Sequence, residues 1–520
     1  MIQANDLSPT LRRETVLTPL KLPESEQEQS IELDYVLPDY YPDFFRLLAC
    51  TAEASVTAEP PAEGIVAYTL HVRLHVLYCG EQTEAVQALT QQLDYQGQLN
   101  LPADAANSAQ PQILLTAETA YLNCRAVSQR RIDLRGAVRI RGVCIAEQPR
   151  EILSGAEGMH LQTRAEPVSF VSALRRTEKR FTLSEDMRLA DTQPALLSVL
   201  RTQTALTVSE TRIVAGKLVI KGEAEISLLY ASETGAETHS AVFPFSQIAE
   251  QDGLSDSMPC IVTARAESVT LTPESENNGD IRLLHADLQI VLHCEAAELQ
   301  TAALLTDLYS TVYPAEAIAE TVPLLTAPVP VSEHFRQKQT LSQPDAVITK
   351  VYAAWSEPES VRTSPAAENA AGTVISGTLH SFVLAADAEN HPLMLEDRAP
   401  FTWEIAASAP SGMLPPLTVQ SCSYTLTGSD SVTLQTDLEI SGQMMQQTAR
   451  TLLTDVQVDP ETRLPVTEQC ALRLYFGQPS ESLWDIAKRC RTAESAIREE
   501  NNVPADRLTE AQMLLIPTVT

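Results

Sequence analysis

Glycine is scarce in this chain, with 18 in 520 residues. That leaves little material for the tight turns and close backbone approaches of phosphate-cradling loops. No P-loop, Gly-rich dinucleotide turn, G-x-S-x-G or H-E-x-x-H is present. Cysteine occurs nine times, from Cys50 to Cys490, and never at C-x-x-C spacing. The odd count and wide scatter argue against a disulfide framework and for small buried hydrophobes in a reducing compartment. Basic residues number 37 against 68 acidic ones, a net charge of −31. Such a surface repels nucleic acid and anionic lipid. No apolar run approaches the ~18 residues of a membrane span. The first thirty residues lack the apolar stretch of a secretory signal. These absences predict a cytoplasmic protein with no signal peptide, no transmembrane segment and no nucleic-acid partner.

Aromatics are also sparse, at 5%, while Val, Ile, Leu and Thr are plentiful, which favours strands. Val66, Tyr68, Leu70, Val72, Leu74, Val76 and Tyr78 alternate with more polar neighbours, the period-2 mark of a half-buried strand. The stretch Leu37–Tyr78 is written again at Leu189–Tyr230, at a fixed offset of 152 with no gap. Identical pairs include Leu37/Leu189, Asp39/Asp191, Pro42/Pro194, Gly64/Gly216, Leu77/Leu229 and Tyr78/Tyr230. A worn third copy begins at Leu341, with about three inserted residues before Gly377 aligns with Gly222. A period this long means tandem domains, since solenoid units run roughly 20–50 residues.

The fold class expected is mainly β: tandem β-rich modules with short helices, then a small βααβ unit. Residues 1–30 read as a flexible lead-in and 31–150 as module one, with a short helix starting at Pro42. Glu147–Lys179 reads as a connector. Residues 180–300 form module two, with the Asn-rich turn Glu274–Asp280 as a hairpin tip. Pro314–Pro330 reads as a linker, 335–465 as a diverged module three, and Glu357–Gly372 as a mobile insertion. In the tail, Leu472–Phe476 is a short strand. Leu483, Trp484, Ile486, Ala487 and Cys490 follow helical spacing, a second helix spans Ala493–Glu500 behind Thr492 as N-cap, and Met513–Ile516 closes as a strand.

The tail, 472–517, resembles the LysM domain. The matching residues are Glu481-Ser482-Leu483-Trp484-Asp485-Ile486-Ala487, Ile497, Asn501-Asn502, Leu508, Gln512 and Leu515-Ile516-Pro517. Ser480-Glu481 stands where that family usually has Gly-Asp, and Glu510-Ala511-Gln512 where it has Pro-Gly-Gln. Those loops line the groove in which LysM domains bind N-acetylglucosamine polymers. The repeated modules resemble the SPOCS domain of clostridial spore-envelope proteins, on Leu37-Pro38-Asp39-Tyr40-Tyr41-Pro42-Asp43, the strand end Val76-Leu77-Tyr78, and the copies at Leu189 and Tyr230. The resemblance implies a mother-cell protein at the forespore surface, a scaffold of coat assembly. It also implies a LysM domain that docks the ATPase scaffold protein of the spore coat. The alternative is binding of peptidoglycan glycan in cortex or cell wall.

No catalytic residue, metal site or cofactor is expected. His71 and His75 share a strand face but lie about 13 Å apart, too far to share one ion. The binding residues expected in the LysM loops are Gln478, Ser480, Glu481, Trp484, Asn502, Val503 and Gln512. Leu483, Ile486, Ala487, Ile497, Leu515 and Ile516 are expected in its core. Two basic features stand out as docking patches for an acidic partner: the strand stripe Arg135, Arg139, Arg141 and the helix end Lys488, Arg489, Arg491.

Overall fold

The computed structural model describes residues 8–21, 24–60, 62, 64–80, 85–101, 112–275, 279–344, 346–366, 372–406, 414–465 and 471–518. After a leading strand β1 (Thr10–Lys21), the chain builds one six-stranded unit three times. The first uses β2 (Ser25–Val36), β3 (Phe44–Ala58), β4 (Ile65–Gly80), β5 (Val86–Asn100), β6 (Gln112–Ser128) and β7 (Arg131–Glu157). The second uses β8 (Leu161–Arg188), β9 (Ser198–Val214), β10 (Lys217–Ser232), β11 (Gly235–Glu250), β12 (Cys260–Ser275) and β13 (Ile281–Ser310). The third uses β14 (Ala315–Ser342), β15 (Lys350–Pro365), β16 (Thr373–Ala386), β17 (Pro392–Ile405), β18 (Leu417–Leu426) and β19 (Ser431–Val458). In each unit the second, third and fourth strands make one antiparallel sheet, with the third in the centre. The first and fifth flank the sixth in a facing sheet. Alternating apolar residues of both sheets fill the space between, as with Val66, Leu70 and Val72 against Leu134, Val138 and Ile140.

The repeated sequence signature is a latch over the entry loop. The Tyr78 hydroxyl donates to the Pro42 carbonyl at 3.2 Å, and that of Tyr230 to the Pro194 carbonyl at 3.1 Å. Arg130 closes the first loop on the carbonyls of Leu37 and Pro38, and Arg282 closes the second on those of Ala190 and Gln193. The third copy places Ala385 at the tyrosine position of its central strand, and the latch is lost. The alignment of Gly377 with Gly222 has a physical basis. Each lies opposite a phenylalanine, Phe401 and Phe245, whose ring covers it, so that a β-carbon would meet the ring at 2.6 and 2.4 Å.

The units close on one another in cyclic order. β5 meets β9, β11 meets β15, and β17 returns to β3. Leu77, Leu229 and Leu384, one from each unit, share a single buried cluster with Trp355 and Phe382. Arg201 seals one seam by pairing with Glu357 and lying 5.0 Å over the Trp355 ring. The long strands run past their sandwiches as three ribbons, β1 with β7, β8 with β13, and β14 with β19. These ribbons pack together through Ile152, Leu304 and Leu452, and through Leu153, Leu305 and Leu453. Each ribbon skips one residue in register at the same place: Ser154, Thr306 and Thr454.

This second layer corrects several expectations. The lead-in 1–30 holds β1 and half of β2, because Val16 belongs to the ribbon core. Glu147–Lys179 and Pro314–Pro330 are ribbon strands, and the expected module limits 150, 180, 300 and 335 cut through β7, β8, β13 and β14. Prolines sit inside these strands, Pro149 in β7, Pro167 in β8 and Pro323 and Pro330 in β14, each within the paired register, so in this layer proline and mixed charge do not mark a break between modules. No helix starts at Pro42; β3 begins at Phe44. Glu357–Pro365 is part of β15, while 367–371 lie outside the described residues, as do 276–278 of the expected hairpin tip.

His380 is 2% exposed, with Nδ1 2.7 Å from Glu359 and Nε2 2.7 Å from Glu396. Burial pushes its pKa down, but the two carboxylates outweigh this and hold it above the ordinary value of 6.5. Its contribution is therefore fully present below pH 6.5 and lost as pH rises through the folded value. Glu359 and Glu396 are held low, so their share is lost only as pH falls below the ordinary 4.5. Subtracting the stability of His380→Gln from that of the wild type in denaturant titrations should leave a difference that shrinks above pH 6.5; a flat difference contradicts the assignment. Separately, Gly222→Ala forces the Phe245 ring and the Thr207 carbonyl apart and should cost about 1–3 kcal/mol in chemical denaturation.

Candidate docking site on the C-terminal unit

The tail folds as β20 (Leu472–Gly477), α1 (Leu483–Cys490), α2 (Glu494–Asn501) and β21 (Gln512–Pro517), with the two strands paired antiparallel. Asp485 in the first turn of α1 and Lys488 and Arg489 in the last suit its dipole. Arg491 and Asn502, both left-handed, end the two helices. α2 starts from Ala493, not from Thr492, whose hydroxyl is buried without a partner. The Asn501 side chain ties α2 to β21 by bonding Leu515 through both its amide groups. Leu483, Ile486, Ala487, Ile497 and Ile516 are buried as expected. Leu514 takes the inward place read for Leu515, because the strand register turns Leu515 to the outer face.

The two loops lie side by side and bond to each other. Ser480 N–H donates to the Leu508 carbonyl at 2.7 Å, Leu508 N–H to Glu481 at 3.0 Å, and Leu483 N–H to Asp506 at 2.9 Å. Ser480 keeps a glycine-like φ of +68° while carrying a side chain. Gln478, Ser480 and Asn502 are exposed, Val503 and Gln512 half-buried, and Gln512 pairs with Gly477. Glu481 is turned inward, accepting from the Tyr475 hydroxyl at 2.6 Å, from Gln478 N–H at 3.1 Å and from Arg489 at 3.2 Å. Burial would raise its pKa; these donors hold it below the ordinary value. The Glu481 bond is the main reason the Tyr475 hydroxyl is pushed up.

Trp484 and Lys488 are engaged within the chain. The Trp484 indole N–H donates to Asp307 Oδ2 at 2.8 Å, and Lys488 Nζ lies 2.7 and 2.9 Å from the same carboxylate. Tyr309 packs edge-on to the indole at 5.0 Å, and its hydroxyl donates to the Thr492 carbonyl at 2.7 Å. Trp484 is consequently only 5% exposed. Asp307 and Tyr309, both on β13, escaped the sequence reading. The available signal was a tyrosine where the other ribbons carry Glu157 and Gln457.

The arginine stripe on β7 does not stand free. Arg139 pairs with Glu26, Glu28 and Glu118, and Arg141 with Glu24, Glu26 and Glu118. β2 supplies Glu26 and Glu28 and β6 supplies Glu118 as cross-strand partners, with Glu24 just ahead of β2. Arg135, paired with Asp133 at 3.5 Å, stays 67% exposed, and Arg489 and Arg491 also face solvent. The outer face of the hairpin is apolar instead. Leu474, Phe476 and Met513 are each 64% exposed and Leu472 44%. Among the described residues no group of His, Cys, Asp or Glu is placed to hold a metal ion, and no helix is long and apolar enough to cross a membrane.

Residues 478–517 match the family model of the LysM domain. Residues 196–274, which span β9 to β12, match the model described as SipL, SPOCS domain. The chain thus joins a SPOCS domain to a C-terminal LysM domain, the make-up of a spore-envelope protein with a LysM binding module. No curated protein and no solved structure matched it.

Returning glycine at position 480 should relieve the left-handed strain. Ser480→Gly is expected to leave stability unchanged or raise it by up to about 1 kcal/mol, read as slower amide exchange in β20 and α1. A loss of more than that would mean the serine side chain itself holds the loop.

Proposed function

We propose that this chain is a non-enzymatic adaptor of spore-coat assembly, whose LysM domain docks a protein. The observation that carries this reading is the outer face of the β20–β21 hairpin. Four exposed apolar side chains on one small sheet are the chemistry of a protein interface. Glycan recognition would draw on polar groups in the two loops, and there the backbone groups of Ser480, Glu481, Leu483, Asp506 and Leu508 bond to one another. The side chain of Ser480 also occupies the loop where the LysM family has glycine. The three sandwich units, joined through the Leu77, Leu229 and Leu384 cluster, supply the base that carries the LysM domain. The partner implied by the SPOCS and LysM resemblance is the ATPase scaffold protein of the spore coat. Placement in the mother cell, on the forespore surface, follows from the same resemblance.

Two measurements with the full chain test this. Binding to the purified coat ATPase scaffold should weaken at least about tenfold in Leu474→Ser/Phe476→Ser, the loss expected when interface anchors are removed. Both residues are exposed, so the melting temperature should barely move. In parallel, the wild-type chain should stay in the supernatant when insoluble peptidoglycan is pelleted. Strong co-sedimentation, with scaffold binding unaffected by the double variant, would reverse the assignment in favour of glycan.

A further inference from the structure

The LysM domain is joined to the ribbons at one of three places that the repeats make alike. Each ribbon carries a skipped residue, at Ser154, Thr306 or Thr454. Such a bulge turns the following side chains away from their normal alternation. One and three residues past it stand Gly155 and Glu157 in the first ribbon, Asp307 and Tyr309 in the second, and Asp455 and Gln457 in the third. The first ribbon pairs Glu157 with Arg12, and the third pairs Asp455 with Arg13. Only the second combines a carboxylate and an aromatic ring at these two positions, and both are spent on α1.

We infer that the α1 face of the LysM domain is a recognition surface for an extended strand presenting an acid and, two residues on, an aromatic, and that β13 occupies it in cis as a latch. Asp307 takes the Trp484 indole and the Lys488 ammonium together, while Tyr309 covers the ring and bonds the Thr492 carbonyl. A ligand strand of the same chemistry in another protein reaches Trp484 only by displacing β13. The hairpin's apolar face, by contrast, is presented continuously. The trans step rests on the protein-adaptor reading; the closed latch stands on the geometry alone.

The full-length chain tests the latch. In Asp307→Asn/Tyr309→Phe, amide exchange across Leu483–Cys490 should accelerate at least tenfold, and acrylamide should quench the Trp484 fluorescence, taken as the difference from a matched Trp484→Phe chain. Exchange in β8 and β13 should not change. A second variant, Lys488→Met, opens the contact from the LysM side and leaves the ribbon untouched. It should give the same change in α1 at smaller amplitude. Wild-type protection of α1 in both variants would overturn the latch while leaving the adaptor reading intact. Loss of α1 protection only together with β8 and β13 in the first variant, with none in the second, would overturn it as well. A latch that opens in a chain that fails to bind the coat scaffold would instead retire the adaptor reading alone.

Discussion

The structure depends on equivalent leucines meeting. Leu77, Leu229 and Leu384 converge between the sandwiches, and Leu153, Leu305 and Leu453 converge between the ribbons. Each is 5% exposed or less. Full burial of one leucine contributes roughly 1.5–3 kcal/mol. Neither cluster exists within a single unit, so part of the core of each module belongs to the other two. That shared burial separates this chain from a string of independent beads. It also explains how a surface with net charge −31 stays compact: the acidic side chains face outward, while the seams are apolar or, as at Arg201 and Glu357, locally paired.

A ring of three similar units offers three similar places to attach a fourth, and the attachment is decided by two side chains. Asp307 and Tyr309 break the equivalence of the ribbons. The LysM domain follows the end of β19 in sequence, yet its α1 sits on β13. Just past β19 the chain is pinned beside the start of β14, with Asp459 N–H on the Pro314 carbonyl at 3.0 Å and Leu464 N–H on the Val312 carbonyl at 2.9 Å. The domain is thereby presented in one orientation, its apolar hairpin face outward.

Much of this was legible from residue patterns. The 152-residue repeat marked the central strands because Leu and Tyr recur where the shared core and the latch need them, and the third copy was marked by Gly377 aligning with Gly222 at the glycine–phenylalanine contact. The βααβ tail was legible because its helical and strand periods are short and clean. What failed was the ribbon layer. Its strands carry prolines and mixed charge, and their burial comes from other units far along the chain, a tertiary effect no local window contains. The candidate site was legible in part. Gln478, Ser480 and Asn502 are exposed at the loops, but Glu481 and Trp484 are committed internally, and the β7 arginines meet carboxylates from strands that only the register brings alongside.

The ring also has an order in time. Arg13 on β1 bonds the Thr454 carbonyl and the Asp455 carboxylate, partners 441 and 442 residues further on. At about 5–20 residues per second of synthesis, the first strand waits roughly 20–90 s for them. During that interval the apolar faces of the first two ribbons have no third to cover them. Transiently uncovered apolar surface of this kind makes a partly made chain prone to aggregate, so the last ribbon to be synthesised is also the cover for the first two.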